Sequence, residues 1–233
     1  MLAEFGEQSR LYAGGTELLL AMKHDLLRYR HLIDVKTIPN LNQIEVKNRA
    51  LVIGSGATHR AIEGAALVRQ HLPVLAEMET RVANIRVRAS GTLGGNLCFA
   101  EPHSDPATLL TALGAKAHVQ GKSTTRTIAL EKLITGAYET SLAADELLTS
   151  VEIPLLAPSQ RAAYLKFQLK ERPTVGLALV LDVDGDTIKH ASAVVGSVSA
   201  VPTQSQQANA LLTGARSQVE KQLDDAAAAL AQA

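Results

Sequence analysis

The amino-acid sequence predicts an α+β fold in three parts, and three observations carry that expectation. Strand and helix patterns are mixed along the chain without a repeating βα period, which disfavours a doubly wound sheet. Two glycine pairs, in "LYAGGTELLL" and "GTLGGN", sit in different units of the pattern. A stretch with two prolines, "PLLAPSQ", separates a last group of strands and helices from what precedes it. These breaks give subdomains at about 1–50 and 51–154, and a smaller α/β domain at 155–233.

The elements follow in order. The first part reads as a short helical piece from Leu2 to Gln8, a brief strand from Arg10 to Ala13, a helix from Thr16 to Lys23 and a strand in "HLIDV". In the second part "ALVIGS" is an apolar run of buried-strand length, and helices are expected at His59 to Gly64 and Pro73 to Val82. The second glycine pair comes next, then a helix in "DPATLLTAL" with Asp105 at its N-cap and Pro106 at its first position. Strands are expected in "AKAHVQ", "TRTIAL" and "LLTSVEI". The tail reads as a strand "AAYLKFQ", then a hairpin turning at Asp184, Gly185 and Asp186 between "GLALVLDV" and "TIKHASAVVGSV". Helices near Gln204 to Leu212 and Ser217 to Leu230 close it.

Composition removes several function classes. With 233 residues and 46% hydrophobic content, the chain can bury a sizeable core. Lys plus Arg and Asp plus Glu both count 23, and no basic block stands ready for a phosphate backbone, so nucleic acid is not expected as a partner. Aromatic residues are too scarce to build base-stacking platforms. Cys98 is the single cysteine, which rules out an intrachain disulfide and an iron–sulfur cluster held by this chain's own thiolates. A reducing cytoplasm is the expected setting. No apolar run approaches the ~18 residues that span a bilayer, and the start "MLAEFGEQSR" lacks an export signal's charged and apolar regions.

The glycine pairs carry the chemistry. Where a strand ends at Ala13 and a helix begins near Thr16, the N–H groups of Gly15, Thr16 and Glu17 point out of a helix start. With no Cβ at Gly14 and Gly15, an anion such as a diphosphate can come close to the main chain. Taken alone, the first motif is better explained by a plain glycine turn with a threonine cap, since such turns far outnumber phosphate sites, and it is neither G-x-G-x-x-G nor a Walker loop. "TLGGN" offers a second hydroxyl, two more bare backbone positions and an amide, so two loops could grip one extended dinucleotide. Capping alone accounts for Asp105, yet a cap carboxylate can also accept from a ligand hydroxyl or imide N–H. "GSGATH" reads as a strand-to-helix turn, His59 and His103 as solvated or capping side chains, and Cys98 as a small buried hydrophobe. No nucleophile, proton-transfer or metal-binding set stands out.

"AGGTELL", "IGSGATHRAIE", "IRVRASGTLGGNLCFAEPHSDPATLLTALGA", "LLTSVEIP" and "YLKF" occur in this order. Over nearly its whole length the chain resembles the FAD-binding medium subunits of molybdenum hydroxylases, of the carbon monoxide dehydrogenase and xanthine dehydrogenase type. The resemblance implies a PCMH-type FAD fold of two α/β FAD-binding subdomains with a small C-terminal α/β domain. It also implies that Leu11, Tyr12, Ala13, Gly14, Gly15, Thr16, Glu17 and Leu18 form one FAD loop, and Thr92, Gly94, Gly95 and Asn96 the other. Asp105 matches a family aspartate in polar contact with FAD, Leu148 an apolar position before the "VEIP" strand, and Lys166 the lysine of "YLKF". Where some xanthine dehydrogenases carry an aromatic residue near the flavin, this chain has Val82.

Family members usually begin with a further strand and helix, and the C-terminal domain here is expected to stop early. The implied role is electron transfer: substrate is oxidised at a molybdenum cofactor in a large subunit, two [2Fe-2S] clusters in a small subunit relay electrons, and the FAD of this chain passes them to an external acceptor. The implied assembly is a dimer of heterotrimers. One cysteine agrees with clusters residing elsewhere and disfavours the benzoyl-CoA reductase branch. A stand-alone flavin oxidoreductase, and a structural subunit without FAD, are the alternatives.

Overall fold

The computed structural model describes residues 1–169 and 172–233. Its first part runs through α1 (Leu2–Phe5), a 3-10 turn, β1 (Ser9–Tyr12), α2 (Leu18–Lys23) and β2 (His31–Asp34). β1 and β2 pair in parallel, Ser9 opposite His31 and Tyr12 opposite Asp34, so α2 is the crossover a parallel pair requires. The helix starts two residues later than the sequence predicts. Gly15 lies at φ +70°, which a right-handed helix cannot contain, and the regular turn begins only after Glu17.

The middle part is built on one antiparallel sheet. β3 (Ile44–Lys47), β4 (Ala50–Gly54), β5 (Lys116–Gln120), β6 (Thr125–Ala129) and β9 (Leu147–Pro154) are ordered β3-β4-β9-β5-β6. β7 (Ile134–Gly136) and β8 (Glu139–Thr140) form a separate small hairpin. "ALVIG" is apolar throughout because β4 has β3 on one side and β9 on the other, with Leu51 and Ile53 fully buried. Between β4 and β5 the chain inserts a helical layer: α3 (His59–Gly64), α4 (Ala66–His71), α5 (Pro73–Thr80), α6 (Ile85–Ser90), α7 (Leu93–Phe99) and α8 (Asp105–Ala112). Of these helices the sequence predicts α3, α5 and α8; β3, β7, β8, α4, α6 and α7 are additions.

Every residue of α8 is buried, the condition of a helix enclosed on all sides. It packs against β11 (Val175–Asp184) and β12 (Thr187–Gly196) of the C-terminal sheet, which also holds β10 (Gln160–Phe167), β13 (Thr203–Gln204) and β14 (Gly214–Ala215). The hairpin turn is two residues long, since Asp184 already pairs with Thr187, and Gly185 takes φ +58° at its first position. α9 (Gln206–Leu211), α10 (Arg216–Val219) and α11 (Leu223–Ala231) complete the chain. One apolar core runs from β4 and the helical layer to Tyr164, Ala178, Val180 and Val194, and a smaller one lies under α9 and α11.

Candidate functional site

A cavity of about 450 Å³ opens where the first part meets the helical layer, within the range of small-molecule and cofactor sites. Of the residues singled out from sequence, all line it except Tyr12 and Lys166. Tyr12 instead packs its ring beneath Gly15, with the Lys36 ammonium 4.1 Å from the ring centre.

The first glycine loop supplies the open donors. Among the described residues no acceptor in the chain pairs with the N–H groups of Gly14, Gly15, Thr16 or Glu17, and all four line the cavity. Main-chain donors are rarely left without a partner away from water, so this row is a ready anion site. Gly14 has a second reason to be glycine: a Cβ there would run into the Ser90 carbonyl oxygen.

The second glycine motif is no loop. Thr92 is an N-cap whose hydroxyl accepts from Gly95 N–H at 3.0 Å, and Gly94 and Gly95 lie in the first turn of α7. Nor are its N–H groups open, because Leu93 donates to the Ala57 carbonyl, Gly94 to that of Ser55 and Asn96 to that of Thr92. A Cβ at Gly94 would meet Ser55 Cβ at 2.5 Å, whereas one at Gly95 would meet only Thr92 Oγ1, at 2.9 Å. Gly94 is therefore fixed by chain packing, and Gly95 leaves room on the cavity side. The polar groups this motif turns to the cavity are side chains, Thr92 and Asn96, the latter held by Ser104 Oγ donating to its Oδ1 at 2.5 Å.

Asp105 is not the N-cap of α8; Ser104 is, with its hydroxyl accepting from Ala107 N–H. Freed from capping, the Asp105 carboxylate takes the Tyr164 hydroxyl at 2.6 Å and the Lys166 ammonium at 2.9 Å. Lys166 also donates to the Arg81 carbonyl at 2.8 Å, and its side chain is only 2% exposed. Lys166 thus stands behind Asp105 and not in the cavity wall. Burial, reinforced by the charge of Asp105, pushes the Tyr164 phenol well above its ordinary value, so it remains a donor.

Arg172 and Glu101 are wall residues with no signal in the sequence. Arg172 reaches Glu101 at 2.9 Å and Glu17 at 3.3 Å, tying the first loop to the segment after α7. Burial raises the Glu17 carboxyl above its ordinary value against the opposing pull of Arg172. His103 is solvated as expected, its side chain 41% exposed, though its Nδ1 also lies 2.6 Å from Glu101 Oε1. His59 is not solvated, being 2% exposed with Nδ1 2.7 Å from Glu79 Oε2. "GSGATH" is the expected turn, capped by Thr58, but Ser55 and Gly56 line the cavity. Cys98 is half-buried against the cavity, and desolvation pushes its thiol up to about 12, so it stays protonated at neutral pH. Val82 and Leu148 supply buried apolar wall. Among the described residues no cluster of His, Cys, Asp and Glu is arranged to hold a metal ion, and no helix is long and apolar enough to cross a membrane.

A row of uncommitted main-chain donors lining a partly apolar cavity defines a binding protein for an anionic cofactor. The chain belongs to the family of FAD-binding subunits of molybdopterin dehydrogenases. Residues 1–156 match the profile of the FAD binding domain in molybdopterin dehydrogenase, and residues 164–233 that of the CO dehydrogenase flavoprotein C-terminal domain. The carbon monoxide dehydrogenase medium chain of Afipia carboxidovorans is 32% identical over 235 residues, covering all of this chain and 81% of that one. The caffeine dehydrogenase subunit beta of a Pseudomonas species is 30% identical, over 87% of this chain and 70% of that one. Among solved structures, a chain of reconstituted CO dehydrogenase from Oligotropha carboxidovorans superposes with a TM-score of 0.93 at 31% identity, covering 97% of this chain and 80% of that one. The residues present fit FAD, because the first loop offers unpaired donors for a diphosphate and the cavity beyond it has apolar walls. The chain is an FAD-binding flavoprotein subunit of molybdenum-containing dehydrogenases.

Proposed function

We propose that this chain is the electron-transfer subunit of a heterotrimeric-type molybdenum hydroxylase, taking electrons from two [2Fe-2S] clusters of a small subunit and passing them to an external acceptor. A large subunit holds the molybdenum cofactor and oxidises the substrate, and the whole is a dimer of heterotrimers in the cytoplasm. Bound FAD supplies the redox chemistry. The protein's own work is to bind and orient it. Gly14, Gly15, Thr16 and Glu17 receive the diphosphate on their free N–H groups, with Leu11, Ala13 and Leu18 as the loop's flanks and Tyr12 as the support under Gly15. Thr92 and Asn96 add side-chain contacts, Gly95 keeps the approach open, and Gly94 seats α7 against Ser55. Asp105 faces the cofactor, positioned by Lys166, and Leu148 adds apolar wall.

The observation that carries this reading is the unpaired donor row of the first loop, opening on a cavity in a chain of this family. A division at 154 into an FAD-binding domain, with subdomains at about 1–50 and 51–154, and a C-terminal domain at 155–233 goes with it. Affinity purification of the tagged chain from its native cells tests the proposal. Co-elution with a large and a small subunit, and with iron and molybdenum, is expected. A lone flavoprotein that turns over a substrate by itself overturns it in favour of a stand-alone oxidoreductase.

A further inference from the structure

We infer that the Arg10 guanidinium is the charge partner of the cofactor's diphosphate, completing the site that the first glycine loop begins. This rests on the proposed placement of the diphosphate at that loop.

Arg10 is the second residue of β1, the strand that runs into the loop, and it lines the cavity. Cys98, in α7, lines the same cavity and reports where the charge is: burial pushes its thiol up, and Arg10 pulls against that rise. The guanidinium thus acts across the space between β1 and α7, beside both glycine motifs.

The charges of the wall balance except at this residue. Asp105 holds Lys166 at 2.9 Å, and Glu146 holds Arg126 at 2.7 Å. Glu17 and Glu101 share Arg172, at 3.3 and 2.9 Å, and Glu101 also meets His103 at 2.6 Å. His59, the other basic side chain of the wall, faces Glu79. Among the described residues, Arg10 is the one basic side chain lining the cavity that has neither a carboxylate nor another acceptor in the chain. A guanidinium keeps its proton at every working pH, so this is a permanent positive charge with only donors to offer. The loop's N–H groups bring partial charges, whereas a diphosphate carries full ones. Arginine's planar fork matches phosphate oxygens in pairs, and charge-assisted bonds of this kind are the strong ones. An arginine that served the fold would have an acceptor within it.

The test compares wild type, Arg10→Met and Arg10→Lys as flavin-stripped full chains. FAD affinity is read from flavin fluorescence, and ADP and adenosine affinities from displacement of FAD. Arg10→Met is expected to melt at the wild-type midpoint without flavin, because no contact within the chain is lost. Its FAD and ADP affinities should fall about tenfold or more, the size of one lost charge-assisted bond, with adenosine affinity unchanged. Arg10→Lys, which keeps the charge without the fork, should lie between Arg10→Met and wild type. Unchanged FAD affinity in Arg10→Met overturns the inference while leaving the FAD site intact. An equal loss for adenosine also overturns it, since the contact would then be with the nucleoside. Wild type that fails to bind FAD overturns the cofactor site itself, and the inference with it. Should Arg10→Met not fold, labelling of wild type with phenylglyoxal, located by peptide mapping, decides: protection of Arg10 by ADP is expected, and labelling that ADP leaves unaffected overturns the inference.

Discussion

The Tyr164 hydroxyl donates to Asp105 Oδ1 at 2.6 Å, joining β10 of the C-terminal sheet to the first turn of the buried helix α8. One partner comes from the tail and the other lines the cavity, so the C-terminal sheet sets the geometry of a cavity residue. Lys166, two residues along β10, holds the other oxygen of the same carboxylate.

Tyr164→Phe removes one buried hydrogen bond to a charged acceptor and leaves the Lys166 contact. Bonds of this type are worth ~1.5–3 kcal/mol, and the thermal midpoint should fall by several degrees. Retention of the wild-type midpoint would show that the contact contributes nothing.

Lys166→Met should be worse than Tyr164→Phe. It strips the cation from a carboxylate that is 4% exposed, and breaking a buried pair from one side costs about 3–5 kcal/mol. Denaturant midpoints of the two variants, measured side by side, check the order; equal losses would contradict it.

The two glycines of α7 should separate folding from binding. Gly94→Ala drives a methyl into Ser55 and is expected to lower stability whether or not flavin is present. Gly95→Leu meets only the Thr92 hydroxyl and then open cavity, so the chain should melt cooperatively and retain no FAD. Full flavin content in Gly95→Leu would rule out the placement of α7 at the cofactor.

Stability at acid pH should depend on Arg126. Its guanidinium, bonded to Glu146 at 2.7 Å, holds that carboxyl below its ordinary 4.5. A depressed folded-state value contributes stability that is fully present above 4.5 and is lost as pH falls through the folded value. Unfolding midpoints measured from pH 6 down to about 3 should therefore fall less steeply in Arg126→Gln than in wild type. Parallel profiles would contradict the pairing.

The β-sheet framework was legible because apolar runs such as "ALVIG" and the Gly185 hairpin leave period and turn signals. α7 was hidden by its own glycines, each about 1 kcal/mol poorer than alanine in a helix, so a helical turn capped by Thr92 reads as a loop. The cap of α8 was misplaced by one residue because Ser104 and Asp105 are both good caps and proline is tolerated at either early position. Contacts between distant residues leave no local trace, as with Tyr164 and Asp105 or Arg172 and Glu17. The glycine pairs also prove to be weaker signs of a ligand than their sequence implies, since Gly14 and Gly94 are required by backbone packing alone. The discriminating feature is the set of free N–H groups from Gly14 to Glu17, which only coordinates reveal.

We propose that this cavity holds FAD on the electron path of a molybdenum hydroxylase. The visible spectrum of the natively purified complex, followed by heat release and identification of its flavin, tests it most directly. One FAD per chain is expected, with residual absorbance from iron–sulfur partners after the flavin has left. No flavin, even after reconstitution with FAD, would contradict it and leave the first loop as a turn in a structural subunit.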